Sequence, residues 1–163
     1  MSLAPDVLPS VGQVRASDPA QVRVAASAAR SMQRQVDQQL RALSADASAW
    51  AGPASAAAST RHTEICVIGD VLADALGHLA AALERVADEV DAARRLLAHA
   101  DQLCGQAGGH ITDVGGVFGL LDPGVEPVIR ATVLEARRRY AGSALAVRQV
   151  QVPRWWSPGE ASG

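Results

Sequence analysis

Five side chains with reactive or ligating chemistry, His62, Cys66, Asp70, Asp74 and His78, recur at every fourth position. Imidazole, thiolate and carboxylate are all metal-ligand types, and neighbours four apart on a helix can share an ion. Each step of four drifts about 40° around a helix, however, so the five cannot converge on one ion. Cys66 beside His62 offers a different chemistry, a thiol with an adjacent base. Such a pair needs an activating environment, and here it has only helix neighbours on a face read as exposed. The chain has no G-x-G-x-x-G, no P-loop and no H-E-x-x-H. The residues therefore point to no catalytic group, no metal and no cofactor. A hydrolase or metal-dependent enzyme stays as a third class, which a bound metal in the stripe would establish.

Length and composition limit the scaffold that can carry these side chains. At 163 residues the chain holds one ordinary domain with tails. Hydrophobic residues make up 48% and aromatic ones only 3%, with alanine supplying much of the apolar content, so the core must come from closely approaching backbones. All 15 basic residues are arginine, and the net charge is −2, which gives no general attraction to nucleic acid or an acidic membrane. The run Arg137-Arg138-Arg139 has no second basic cluster or aromatic platform to support it. It reads as a solvated face, with no nucleic-acid partner.

The N-terminus lacks the basic start and apolar run of a signal peptide. The most apolar window, Ile65 to Leu83, is interrupted by Asp70, Asp74 and His78, which argues against membrane insertion. A soluble, cytoplasmic chain is the expectation. Cys66 and Cys104, 38 residues apart, would lie roughly 57 Å apart on one helix, so both read as free thiols.

Residues 1–17, with Pro5, Pro9 and Gly12, read as a flexible arm. Asp18-Pro19 then supplies an N-cap and a first-turn proline. Val22, Ala26, Ala29, Met32, Val36, Leu40, Leu43, Ala47 and Trp50 come next in steps of three and four, one face of a helix. That helix stops at Gly52-Pro53. A second helix restarts near 53–59, and Ile65, Ile68, Leu72, Leu76, Leu79, Leu83, Val86 and Val90 continue an unbroken stripe through Ala93 and Leu97 to Cys104. Two long amphipathic helices with a short turn between them predict an antiparallel helical hairpin over 18–104, each helix burying the other's stripe. Two helices cannot enclose a core alone, so the uncovered side calls for the rest of the chain, another copy or a partner. A small β-hairpin around Gly115-Gly116 and a third helix from Glu126-Pro127, with Ile129, Val133, Ala136 and Tyr140 on one face, are expected in 105–150. A tail, 151–163, carries Trp155 and Trp156, which read as a docking element for a partner or a cap on the third helix. The fold class is all-α with this small extension.

A helix of three-four periodicity, Trp50-Ala51-Gly52 at a tight turn and a longer second helix together resemble the WXG family of type VII (ESX) secretion systems in actinobacteria and related bacteria. The likeness covers roughly Asp18 to Cys104, with a Val-Arg-Val-Ala-Ala run in helix one and Leu-Ala-Ala-Ala-Leu-Glu-Arg-Val-Ala in helix two. The segment after Gly108 looks like the extended N-terminal regions of type VII effectors. The resemblance implies a four-helix bundle formed by dimerising with itself or with a second helical WXG-like protein, and a non-enzymatic role as a type VII substrate or co-secreted partner. Trp50 and Gly52 are then the turn motif. The family's Tyr-x-x-x-acid export signal has no match: Tyr140 is followed four positions on by Ala144, and Val86 and Val90 stand where helix two would carry it. Export would rely on a partner that carries the signal. The alternative is a cytosolic helical adaptor or immunity-like binding protein.

Overall fold

The computed structural model describes residues 8–47, 52, 55–119 and 122–148. The chain is mostly helical: α1 Val11–Ala16, α2 Pro19–Ala47, α3 Ser55–Gln106 and α4 Glu126–Arg148, with strands β1 His110–Ile111 and β2 Val117–Phe118 between α3 and α4. It divides into two compact units, one of Met1–Arg23 with Glu84–Gln149, the other containing Val24–Leu83.

In the first unit the sequence expectation of a flexible arm over 1–17 is corrected for residues 10–17, which form a capped helix, while residues 1–7 lie outside the described residues. Ser10 caps α1 in a capping box: its hydroxyl accepts from Gln13 N–H at 3.1 Å, and Gln13 Oε1 accepts from Ser10 N–H at 2.8 Å. Two further N–H groups of the first turn are met from far along the chain. Val11 N–H donates to the Asp113 carbonyl at 2.8 Å, and Gly12 N–H to the Asp113 carboxylate at 2.5 Å. This pins Val11 and Val14 into the core with Ala93, Leu97, Ala100 and Cys104 of α3, Val117 of β2, and Ile129, Val133 and Ala136 of α4. A six-residue helix is not stable by itself; burial of its two valines holds it.

α3 ends in a Schellman motif, Gly108 at φ +73° with Gly109 N–H donating to the Cys104 carbonyl at 2.8 Å. The chain then makes the two-stranded antiparallel pair, with Ile111 opposite Val117 and His110 opposite Phe118. Its turn is closed by Gly115, at φ +86°, whose N–H donates to the Thr112 carbonyl. Arg137 of α4 clasps this end of the unit. Its guanidinium donates to the carbonyls of Pro9 (2.6 Å), Val114 (2.7 Å) and Leu8 (3.1 Å). Surface ion pairs Arg15–Asp101, Arg23–Asp88 and Arg139–Glu89 add little each, being solvent-exposed.

In the second unit α3 packs on α2, which begins where Asp18-Pro19 dictates, the Asp18 carboxylate accepting from Ala20 N–H at 2.9 Å. The contact is made by small residues. Gly69 faces Leu40 so closely that a Cβ would collide, and Gly77 faces Gln33, whose side chain would have to give way slightly to a Cβ. Ala26, Ala29, Ala73 and Ala80 are buried. Small residues of α3 let the side chains of Leu40 and Gln33 sit directly on its backbone, an arrangement that an alanine-rich, aromatic-poor composition favours.

Candidate functional site

Because the small residues of α3 face α2, its large aliphatic residues in the second unit point elsewhere. Ile65, Val67, Ile68 and Val71 are exposed, Val67 and Ile68 by 57% and 56%, and Leu72, Leu76, Leu79 and Leu83 are half-buried. Helical geometry explains the split. At 100° per residue, Ile65, Ile68, Val71, Leu72 and Leu79 fall within an arc of about 120°, with Val67 beside it, while Gly69, Ala73, Gly77 and Ala80 cluster on a side centred about 140° away. The expectation that the large residues of each helix bury one another is met only partly, for Val36 and Leu40 of α2 are half-buried and Leu43 is exposed. Further along α3, in the first unit, the same three-four series runs through Val86, Val90, Leu97 and Cys104, all buried. The stripe is thus buried in one unit and, in the other, half-buried from Leu72 to Leu83 and exposed at Ile65 and Ile68.

An exposed aliphatic surface of this kind is unusual on a chain that works alone. α3 contains an 18-residue window long and apolar enough to cross a membrane by length and composition, and only 17% of it is buried. A core helix would be mostly buried, and this window is not. Its large aliphatic residues lie on one arc, and the other side holds α2, with the polar residues Gln33, Arg34, Gln35 and Asp37 in its sequence. Insertion across a bilayer would have to strip α2 away, whereas docking of another amphipathic helix would not. A shallow cleft lined by Thr63, Glu64, Val67 and Ile68 marks one end of the face.

The reactive stripe is placed differently from the sequence reading. His62 and Cys66 are half-buried rather than exposed, with Cys66 Sγ 3.5 Å from His62 Nε2, while Asp70, Asp74 and His78 are exposed. Among the described residues no three such side chains come together as a metal site. Cys104 is buried in the core of the first unit; burial, and then the charge of Asp101, push its thiol above the ordinary range, so it stays protonated. It lacks the electropositive surroundings of a nucleophile.

At the turn between α2 and α3, Gly52 is exposed at φ +112°, and its carbonyl accepts from Ser55 N–H at 3.0 Å. A side chain there would meet no neighbour within 4 Å, so the glycine is demanded by backbone conformation and not by crowding. Trp50, Trp155 and Trp156 lie outside the described residues. Of the arginine run, Arg137 is spent on three carbonyls and Arg139 on Glu89 and Glu135. Sequence reasoning misses the clasp of Arg137, since only its place in a charged run is visible there. No family model, curated protein or solved structure matches the chain.

Proposed function

We propose that this chain is a non-enzymatic interaction module that pairs, through the bare aliphatic arc of α3, with a second copy of itself or another helical WXG-like protein. The setting we propose is type VII secretion, as a substrate or as a companion carried by a signal-bearing partner. The carrying observation is the exposure of Ile65, Val67, Ile68 and Val71 on a helix whose small-residue side is already occupied by α2. Opposite running directions of α2 and α3, with Leu40 at Gly69 and Gln33 at Gly77, support a WXG-like hairpin. A left-handed Gly52 at the elbow supports it too. A four-helix bundle would cover the bare arc with a partner's matching stripe.

Light scattering on size-fractionated protein, alone and after co-expression with neighbouring small helical proteins, tests the reading. Association that is abolished by Ile68→Asp with Val71→Asp is expected. A strict monomer that captures no protein, or one that binds phospholipid vesicles instead, would overturn it. Export is tested separately: equal amounts in the culture filtrate of wild-type and type VII-deficient cells would remove the secretion setting and leave the cytosolic adaptor. The lack of a tyrosine-acid signal at Tyr140 favours that second reading.

A further inference from the structure

The carboxylates of α3 fall into two groups. In the first unit Asp88, Glu89, Asp91 and Asp101 each meet an arginine. In the second unit Glu64, Asp70 and Asp74 are exposed, and none of them has an ion-pair partner among the described residues. Each stands three or four positions from an exposed aliphatic on the same side of the helix: Glu64 from Val67 and Ile68, Asp70 from Val67, Asp74 from Val71. Against these three carboxylates the helix from Ser55 to Leu83 has one arginine, Arg61.

We propose that the exposed arc receives a different protein rather than a second copy, and that this partner presents an amphipathic helix with lysine or arginine flanking its apolar stripe. This rests on the reading of the arc as a docking surface and adds the chemistry of its occupant.

The apolar residues alone would accept either occupant, and charge separates them. A carboxylate at the edge of an apolar contact loses hydration as the contact closes, and a cation on the partner compensates it. The cleft lined by Thr63, Glu64, Val67 and Ile68 has this pattern, two aliphatic side chains with a carboxylate beside them. A lysine or arginine stem can lie along Val67 and Ile68 and bring its charge to Glu64. A second copy brings the same acidic excess, and in an antiparallel pair its Glu64, Asp70 and Asp74 line the same edge as these. Like-charge juxtaposition of that kind suppresses self-pairing.

The test uses the full chain and two synthetic helical peptides with one leucine stripe in common, the first flanked by lysine and the second by glutamate. Anisotropy of a fluorophore on each peptide follows binding. In about 0.1 M salt the lysine peptide should bind about tenfold tighter. The gap should close in about 1 M salt, where the screening length falls to about 3 Å. Glu64→Gln with Asp70→Asn and Asp74→Asn should close it in low salt too, with the far-ultraviolet circular dichroism unchanged. Ile68→Asp with Val71→Asp adds negative charge to the same surface, so a purely electrostatic contact would hold the lysine peptide more tightly. Docking on the arc predicts loss of binding instead, and binding that survives or strengthens overturns the proposal. Equal affinities of two bound peptides, or a wild-type chain that dimerises through Ile68 in light scattering, would also overturn it and leave the arc a docking surface. If neither peptide binds and the chain is a monomer that captures no protein, both readings fail.

Discussion

Replacing Gly69 by alanine should destabilise the protein, although the same change at Gly105, also in α3, should stabilise it. Glycine costs a helix interior about 1 kcal/mol relative to alanine, so a Gly→Ala change with free space is a gain. Gly105 is such a site, with nothing within 4 Å of a would-be Cβ, and near the helix end the gain should be roughly 0.5 kcal/mol. At Gly69 the new methyl would sit 2.8 Å from Leu40 Cδ1 and 2.9 Å from Cγ, with Cδ2 nearer still. Leu40 is half-buried and can turn aside only by giving up its packing on α3. Overpacking of this kind costs about 1–3 kcal/mol, and subtracting the propensity gain leaves a net loss on the order of 1 kcal/mol. The same substitution in a Leu40→Ala background meets no obstacle and should revert to a gain, a coupling of about 2 kcal/mol. Urea unfolding followed by far-ultraviolet circular dichroism on the four proteins of the cycle, with Gly105→Ala as reference, measures this directly. Equal stabilisation by Gly69→Ala and Gly105→Ala in the wild-type background would refute the close approach of α2 and α3.

Arg137→Ala should cost about 3 kcal/mol, because three carbonyls lose a charged donor, and Arg137→Lys should recover little, since an ammonium cannot span Pro9, Val114 and Leu8 together; denaturant midpoints check both. Val14→Ala, at a fully buried position, should cost about 1–2 kcal/mol, whereas a flexible arm would tolerate it without effect in a thermal melt. Iodoacetamide should label Cys66 in the native protein and reach Cys104 only on unfolding, which peptide mass mapping resolves. The raised thiol pKa of Cys104 carries a pH dependence with a definite sign. Its stabilisation is full below the unfolded thiol pKa, about 8.5, and is lost as pH rises through the folded value, so Cys104→Ala should flatten the alkaline limb of a stability profile.

The long helices are legible in the sequence because their signals are local. Asp18-Pro19 marks the start of α2, and the three-four stripe of α3 survives any tertiary context. α1 is hidden by its length: two valines three apart look like noise among prolines, and their partners lie in α3 and α4. Ser10-x-x-Gln13 is the available clue, a capping box whose weight shows only beside its distant partner Asp113. The orientation of α3 is hidden for a different reason. Periodicity weighs residues by size, so it finds the large aliphatic arc, while the contact with α2 is made where side chains are missing, at Gly69 and Gly77. In an alanine-rich chain the glycines and alanines mark the intimate face, and the leucines and isoleucines mark what is left for others. The clasp of Arg137 cannot be read at all, because its acceptors are backbone carbonyls that carry no residue identity.

The docking of α1 sets an order of events during synthesis. Val11 and Val14 leave the ribosome more than a hundred residues before their partners Val133 and Ala136, so the core of that unit cannot close until α4 has emerged. Once α3 has emerged α2 can pack on it, but α1 then finds only the α3 part of its core, Ala93, Leu97, Ala100 and Cys104, until α4 follows. A stalled or clipped chain that ends before Ile129 would therefore display an unburied N-terminal segment to proteases and chaperones. α1, made early, thus signals whether α4 has arrived.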